Sequence, residues 1–162
     1  MKINILRAII MIFLLGTFYI IFGFSNQNGE ESGNLSGKIA KITFEILPIE
    51  NNKQNLKRAE AVIRKIAHFS IYTLVGFLVM SFVSTYHVKE KKRIGISLFI
   101  GILYAISDEI HQKFVPGRSC KITDVMLDTM GVLLGILVLL MILEIHKKIK
   151  TKINRQNIAK SS

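Results

Sequence analysis

Apolar residues in this chain come in blocks rather than at even intervals. Residues 8–29 carry no Asp, Glu, Lys, Arg or His, and neither do residues 69–86. Two further apolar runs, residues 94–107 and 129–143, are shorter. A helix rises about 1.5 Å per residue and a bilayer's hydrocarbon core is about 30 Å thick, so the first run crosses comfortably. The two short runs reach only about 21 and 23 Å as helices. They span only if Asp108, Glu109 and Gln112 extend the third helix and Asp124 and Asp128 begin the fourth. The alternative is a pair of short helices in a locally thinned bilayer. The acids fall at helical spacing, which favours the extended helices.

The pattern predicts an all-α integral membrane protein, a four-span antiparallel transmembrane helical bundle. Its spans are expected at about residues 6–24, 66–83, 94–112 and 124–143. Residues 1–145 would form one membrane domain and residues 146–162 a basic tail. The segment 25–63 lies between the first two spans. Within it Leu35, Ile39, Ile42 and Ile46 recur at helical spacing, which predicts a short amphipathic helix on the membrane surface or against the bundle's end. Pro48 ends that helix, and Asn51-Asn52 offers a cap for the next, which starts in water near Gln54. Pro116-Gly117 marks a turn. The first apolar run is longer than a signal-peptide core and lacks a small-x-small cleavage site, so it is expected to remain as a span.

Charge changes the picture only in orientation. A net charge of +11 invites a nucleic-acid reading, but the bases flank the apolar blocks, and no nucleic-acid partner is expected. Lys2 and Arg7, the basic turn at residues 89–93 and the tail from Lys147 hold the larger share of the 22 Lys and Arg. The positive-inside rule then puts both termini in the cytoplasm and segment 25–63 outside. The single cysteine, Cys120, excludes an internal disulfide.

Alternating spans bring four polar clusters to one membrane face. They are Ser25-Asn26-Gln27, the stretch from Arg64 to Tyr72, Asp108 to Gln112, and Arg118 to Asp128. Ionisable groups near a bilayer are costly, so a convergent set is a candidate site. On the second helix Arg64, His68 and Tyr72 step by four, and Lys65 shares their face, with Gly76 continuing it inward. On the fourth, Asp124, Asp128, Gly131 and Gly135 form one stripe. Its small-xxx-small half predicts a helix–helix contact, within the bundle or in an oligomer through Gly131 and Gly135, and turns the acids inward. Tyr104, Asp108 and Gln112 step by four on the third.

A lock of ion pairs among these groups is the plain structural account. So many ionisable groups across three helices and a loop favour a ligand site instead. Three chemistries compete. Arg118, Arg64 and Lys65 can clamp an anionic group, with arginine suited to phosphate or carboxylate. His68 or Glu109 can act as general base in a membrane hydrolase or transferase, with Arg118 facing developing charge. Asp108, Glu109, Asp124 or Asp128 can hold a divalent cation. No metal-ligand spacing is specific, so no metal or cofactor is expected. Neither a nucleotide loop nor a Gly-x-Ser-x-Gly or His-Glu-x-x-His string is present.

The strings that carry these residues resemble a known family. Arg64-Lys65-Ile66-Ala67-His68-Phe69-Ser70-Ile71-Tyr72 looks like the start of the VanZ-like pattern. The string Ser107-Asp108-Glu109-Ile110-His111-Gln112, running on to Pro116-Gly117-Arg118, resembles its central signature, and the string from Asp124 to Gly135 its final segment. The likeness covers roughly residues 24–143. It implies several spans, an outward polar motif and a role in the envelope of a bacterial cell membrane. The family's named member is associated with low-level resistance to teicoplanin, a glycopeptide antibiotic. The family often has Asn where Asp128 stands, which adds a charge here. The expected function is binding of an anionic cell-envelope or lipid-linked head group. The contacts would come from Arg64, Lys65 and Arg118. Asp108, Glu109, Asp124 and Asp128 would orient them and His68, and Gln112 and Tyr72 would donate hydrogen bonds. Membrane lipid is the expected surrounding partner. A purely structural assembly partner is the remaining alternative.

Overall fold

The computed structural model describes residues 2–28, 34, 36–42 and 52–161. Four long helices carry it: α1 (Lys2–Ser25), α2 (Lys53–Ser84), α3 (Glu90–Gln112) and α4 (Ile122–Ser161). No strand occurs among the described residues. All four are long and apolar enough to cross a membrane. Their surfaces are inverted relative to a soluble bundle. Phe13 is 62% exposed and Phe99 63%, whereas Asp108, Glu109, Gln112 and Asp128 are buried. Apolar side chains facing outward need a solvent as apolar as they are, and a bilayer supplies it. The protein is a multi-pass helical membrane bundle.

Local chemistry sets the helix ends. Asn52 caps α2, its side chain accepting from the Asn55 backbone N–H at 2.8 Å, so the helix starts just ahead of Gln54, outside the apolar run. The acids do extend α3, and Asp124 and Asp128 do lie in the opening turns of α4. Between these helices the chain reverses through Gly117, whose φ of 75° is a left-handed conformation that L side chains rarely adopt. The basic tail expected beyond the last span is a direct continuation of α4. Residues 136–161 contain no Gly or Pro to stop the helix, and Glu144 lies 4.0 Å from Lys148 one turn on. Of the amphipathic segment, residues 36–42 are helical, with Ser36 and Ala40 buried and Ile39 and Ile42 exposed. Leu35, Ile46 and Pro48 lie outside the described residues.

The seam between α2 and α4 is the tightest. A Cβ on Gly135 would strike the Thr73 carbonyl, one on Gly131 the Phe69 carbonyl, and one on Gly76 the Val132 backbone. Backbones this close need glycine on the facing turns. The glycine face of α4 is thus filled by α2 within the chain. Val132 also lies against Gly101 of α3, so it joins three helices. The core around this seam includes Tyr72, Val75, Val79, Met80, Ala105 and Ile136.

The two ends of the bundle differ. At one end Arg7 of α1 reaches the turn after α2, its Nε donating to Thr85 Oγ1 at 3.0 Å and its Nη2 to the Thr85 carbonyl at 2.9 Å. The same guanidinium lies over the Tyr86 ring, 4.0 Å from its centroid. At the opposite end Ser25, the outer half of α2, the end of α3 and the start of α4 come together.

Candidate functional site

A cavity of about 180 Å³ opens at that polar end. Arg64, Lys65 and His68 reach it from α2, Glu109 and Gln112 from α3, Arg118 from the α3–α4 turn, and Asp124 and Asp128 from α4. Asp108 and Tyr72 do not line it. They are buried against it, Asp108 at 6% exposure and Tyr72 at 0%. The helical steps explain the convergence. Residues three and four apart stack on one face, and the α2–α4 glycine seam turns both polar faces toward each other.

Several of these groups hold the site together. Arg118 donates from Nε to the Gln27 carbonyl at 2.9 Å and from Nη2 to the Phe24 carbonyl at 2.7 Å. It therefore ties the α3–α4 turn to the end of α1, where helix carbonyls have no partner within the helix. Burial and the neighbouring Arg64 charge push the Arg118 guanidinium below its ordinary value, while Asp108 and Glu109 oppose that shift. Glu109 accepts from the Lys121 backbone N–H at 3.0 Å and so fixes the other end of the same turn. Gln112 donates from Nε2 to Asp108 Oδ2 at 3.0 Å and to Ser25 Oγ at 3.3 Å, linking α3 to α1. Lys65 pairs with Asp124 at 3.2 Å across the α2–α4 seam.

Other groups are left open. Arg64 Nε is buried with no hydrogen-bond partner. Both carboxylate oxygens of Asp128 are likewise buried and unbonded. His68 Nδ1 is 3.8 Å from Asp128 Oδ1, beyond hydrogen-bond reach. His68, Asp108 and Asp128 each place one ligand atom within 4.8 Å of the others.

A second cavity of about 160 Å³ adjoins the first and shares Arg64, His68 and Arg118 with it. Its other walls are mostly apolar, among them Ile21, Phe24, Ile63 and Ile71. The polar cavity and the greasy one therefore have a common wall of three basic side chains.

Sequence periodicity could not identify the backbone partners. The Phe24 and Gln27 carbonyls and the Lys121 N–H carry no side-chain signal. Ser25 was visible only as part of a polar cluster, yet it is fully buried as an acceptor for Gln112. His111, which sits in the central string, stacks on Phe22 with centroids 4.8 Å apart, between α1 and α3.

A multi-pass helical membrane protein with a polar cavity at one end of its bundle is the class that this architecture defines. The VanZ/LLP1 family model matches residues 10–143, and the chain belongs to that family. No curated protein and no solved structure matches the chain.

Proposed function

We propose that this VanZ-like protein binds an anionic cell-envelope group, carried on a lipid, in the polar cavity at the extracytoplasmic end of the bundle. The observation that carries the proposal is Arg64. Its Nε is buried without a partner at the wall of a cavity it shares with Lys65 and Arg118. A buried guanidinium nitrogen left unbonded is costly, and an anionic oxygen would satisfy it. The apolar cavity that meets the polar one at Arg64, His68 and Arg118 supports a lipid carrier, because head group and chain would enter adjoining spaces. Sequestering or displacing such a lipid-linked group is how the protein would alter teicoplanin susceptibility in a bacterial membrane.

Acid–base chemistry with His68 and Glu109 is less favoured by the geometry. Glu109 Oε2 already accepts from the Lys121 backbone, which commits one of its two oxygens to the turn that shapes the cavity.

The test is binding of a polyisoprenyl phosphate to the full-length protein in nanodiscs, against the matching neutral polyisoprenol. The phosphate is expected to bind at least tenfold more tightly than the alcohol. Arg64→Gln should remove most of that preference while the protein stays folded by circular dichroism and size exclusion. Equal affinity for the phosphate and the alcohol, or a preference that survives Arg64→Gln, would defeat the proposal.

A further inference from the structure

We infer that His68, Asp108 and Asp128 form a binding site for a divalent transition-metal cation, at the inner wall of the polar cavity. The three come from three different helices, α2, α3 and α4, and their ligand atoms lie within 4.8 Å of one another. Two ligands of one ion stand about 3–4 Å apart when each bond is about 2.0–2.2 Å long, so a small inward movement completes the set.

Burial and charge argue for an ion here. Asp108 and Asp128 are 6% and 1% exposed, and both oxygens of Asp128 lack a hydrogen-bond partner. A buried carboxylate with neither a hydrogen bond nor a countercharge is strongly disfavoured. The nearby bases do not relieve it. Lys65 is spent on Asp124, and Arg118 on two backbone carbonyls. Among the described residues no Lys or Arg is within 4.0 Å of Asp108 or Asp128, and His68 approaches only to 3.8 Å. A dication between the two carboxylates and the imidazole would supply the missing charge.

The donor set selects the ion. One imidazole nitrogen with two carboxylates suits zinc or manganese, whereas magnesium and calcium prefer oxygen alone. Gln112 provides the outer support that metal carboxylates usually have, since it fixes Asp108 Oδ2 by a 3.0 Å hydrogen bond. His68 and Asp128 also line the cavity, so a held cation has a side facing it. The cation site stands whether or not the cavity takes a lipid-linked anion.

The experiment uses untagged full-length protein in detergent, stripped with EDTA and then titrated separately with zinc, manganese and magnesium chlorides. Calorimetry and the thermal midpoint are the readouts. Zinc or manganese is expected to bind at about one ion per chain and to raise the midpoint, with magnesium at least tenfold weaker. His68→Gln and Asp128→Asn should each weaken binding at least tenfold, and Glu144→Gln, on the exposed part of α4, should leave it unchanged. His68→Gln decides the matter if Asp128→Asn does not fold. Absent binding, equal binding of magnesium, or zinc affinity that survives the His68 and Asp128 changes would overturn the inference. Polyisoprenyl phosphate binding measured in EDTA reports on the anion site separately.

Discussion

Arg118 shows how residue chemistry and residue position can diverge. A guanidinium in a polar loop reads as an anion clamp, yet two of its nitrogens hold the backbone at the end of α1. Hydrogen bonds to charged groups contribute about 1.5–3 kcal/mol each when formed in protein, and partial exposure here places these at the low end. Arg118→Ala is expected to lower unfolding stability in detergent by about 1.5–3 kcal/mol. Arg118→Lys should recover only part of that, because an ammonium lacks the planar fork that reaches both carbonyls. Stability unchanged in Arg118→Ala would show that the two contacts contribute nothing. Asp128 is the converse case. Without a cation its buried carboxylate opposes folding, so Asp128→Asn is expected to be at least as stable as wild type in EDTA, as read by thermal unfolding. A large loss there would mean that the carboxylate has a partner other than an ion.

At the scale of helices, the α2–α4 seam is the element on which the site depends. Gly131 and Gly135 face the carbonyls of Phe69 and Thr73, and the same packing brings His68 toward Asp128 and Lys65 toward Asp124. Overfilling a packed interface typically costs about 1–3 kcal/mol. Gly135→Leu should reach or exceed that range, since it meets backbone rather than a movable side chain. It should also weaken phosphate-lipid binding, although it lies a turn and more from the cavity. A Gly135→Leu protein with wild-type unfolding and binding would show that α2 and α4 do not pack in this register. The glycine stripe was legible in the sequence as a helix-contact face. Its partner was not, because spacing of three and four fixes a face but not what lies across it.

For the whole molecule the direction in which the bundle crosses the membrane decides which ligands can reach the cavity. The positive-inside rule, applied to the Lys and Arg distribution, predicts both termini in the cytoplasm and the polar cavity outside. Cys120, the exposed cysteine in the α3–α4 turn, reports on that directly. In intact cells a membrane-impermeant maleimide is expected to label the wild type and not Cys120→Ser. Labelling only after lysis would place the cavity in the cytoplasm and redirect the ligand search to intracellular anions.

Block lengths and the placement of charge in the sequence determined four helices, their alternation and the end at which polar groups gather. Those features are local: hydrophobic length sets a span, and an odd or even number of crossings sets a side. The strings around His68, Asp108, Glu109 and Arg118 also pointed to the VanZ-like family, to which the chain belongs. Only the tertiary structure decided which polar groups are consumed and which are left. Arg118 and Glu109 bind backbone atoms of distant segments, whereas Arg64 and Asp128 are buried without hydrogen-bond partners for Nε and both carboxylate oxygens. Such partnerships depend on helix rotation and on main-chain atoms common to every residue. A chain read one position at a time carries no mark of them.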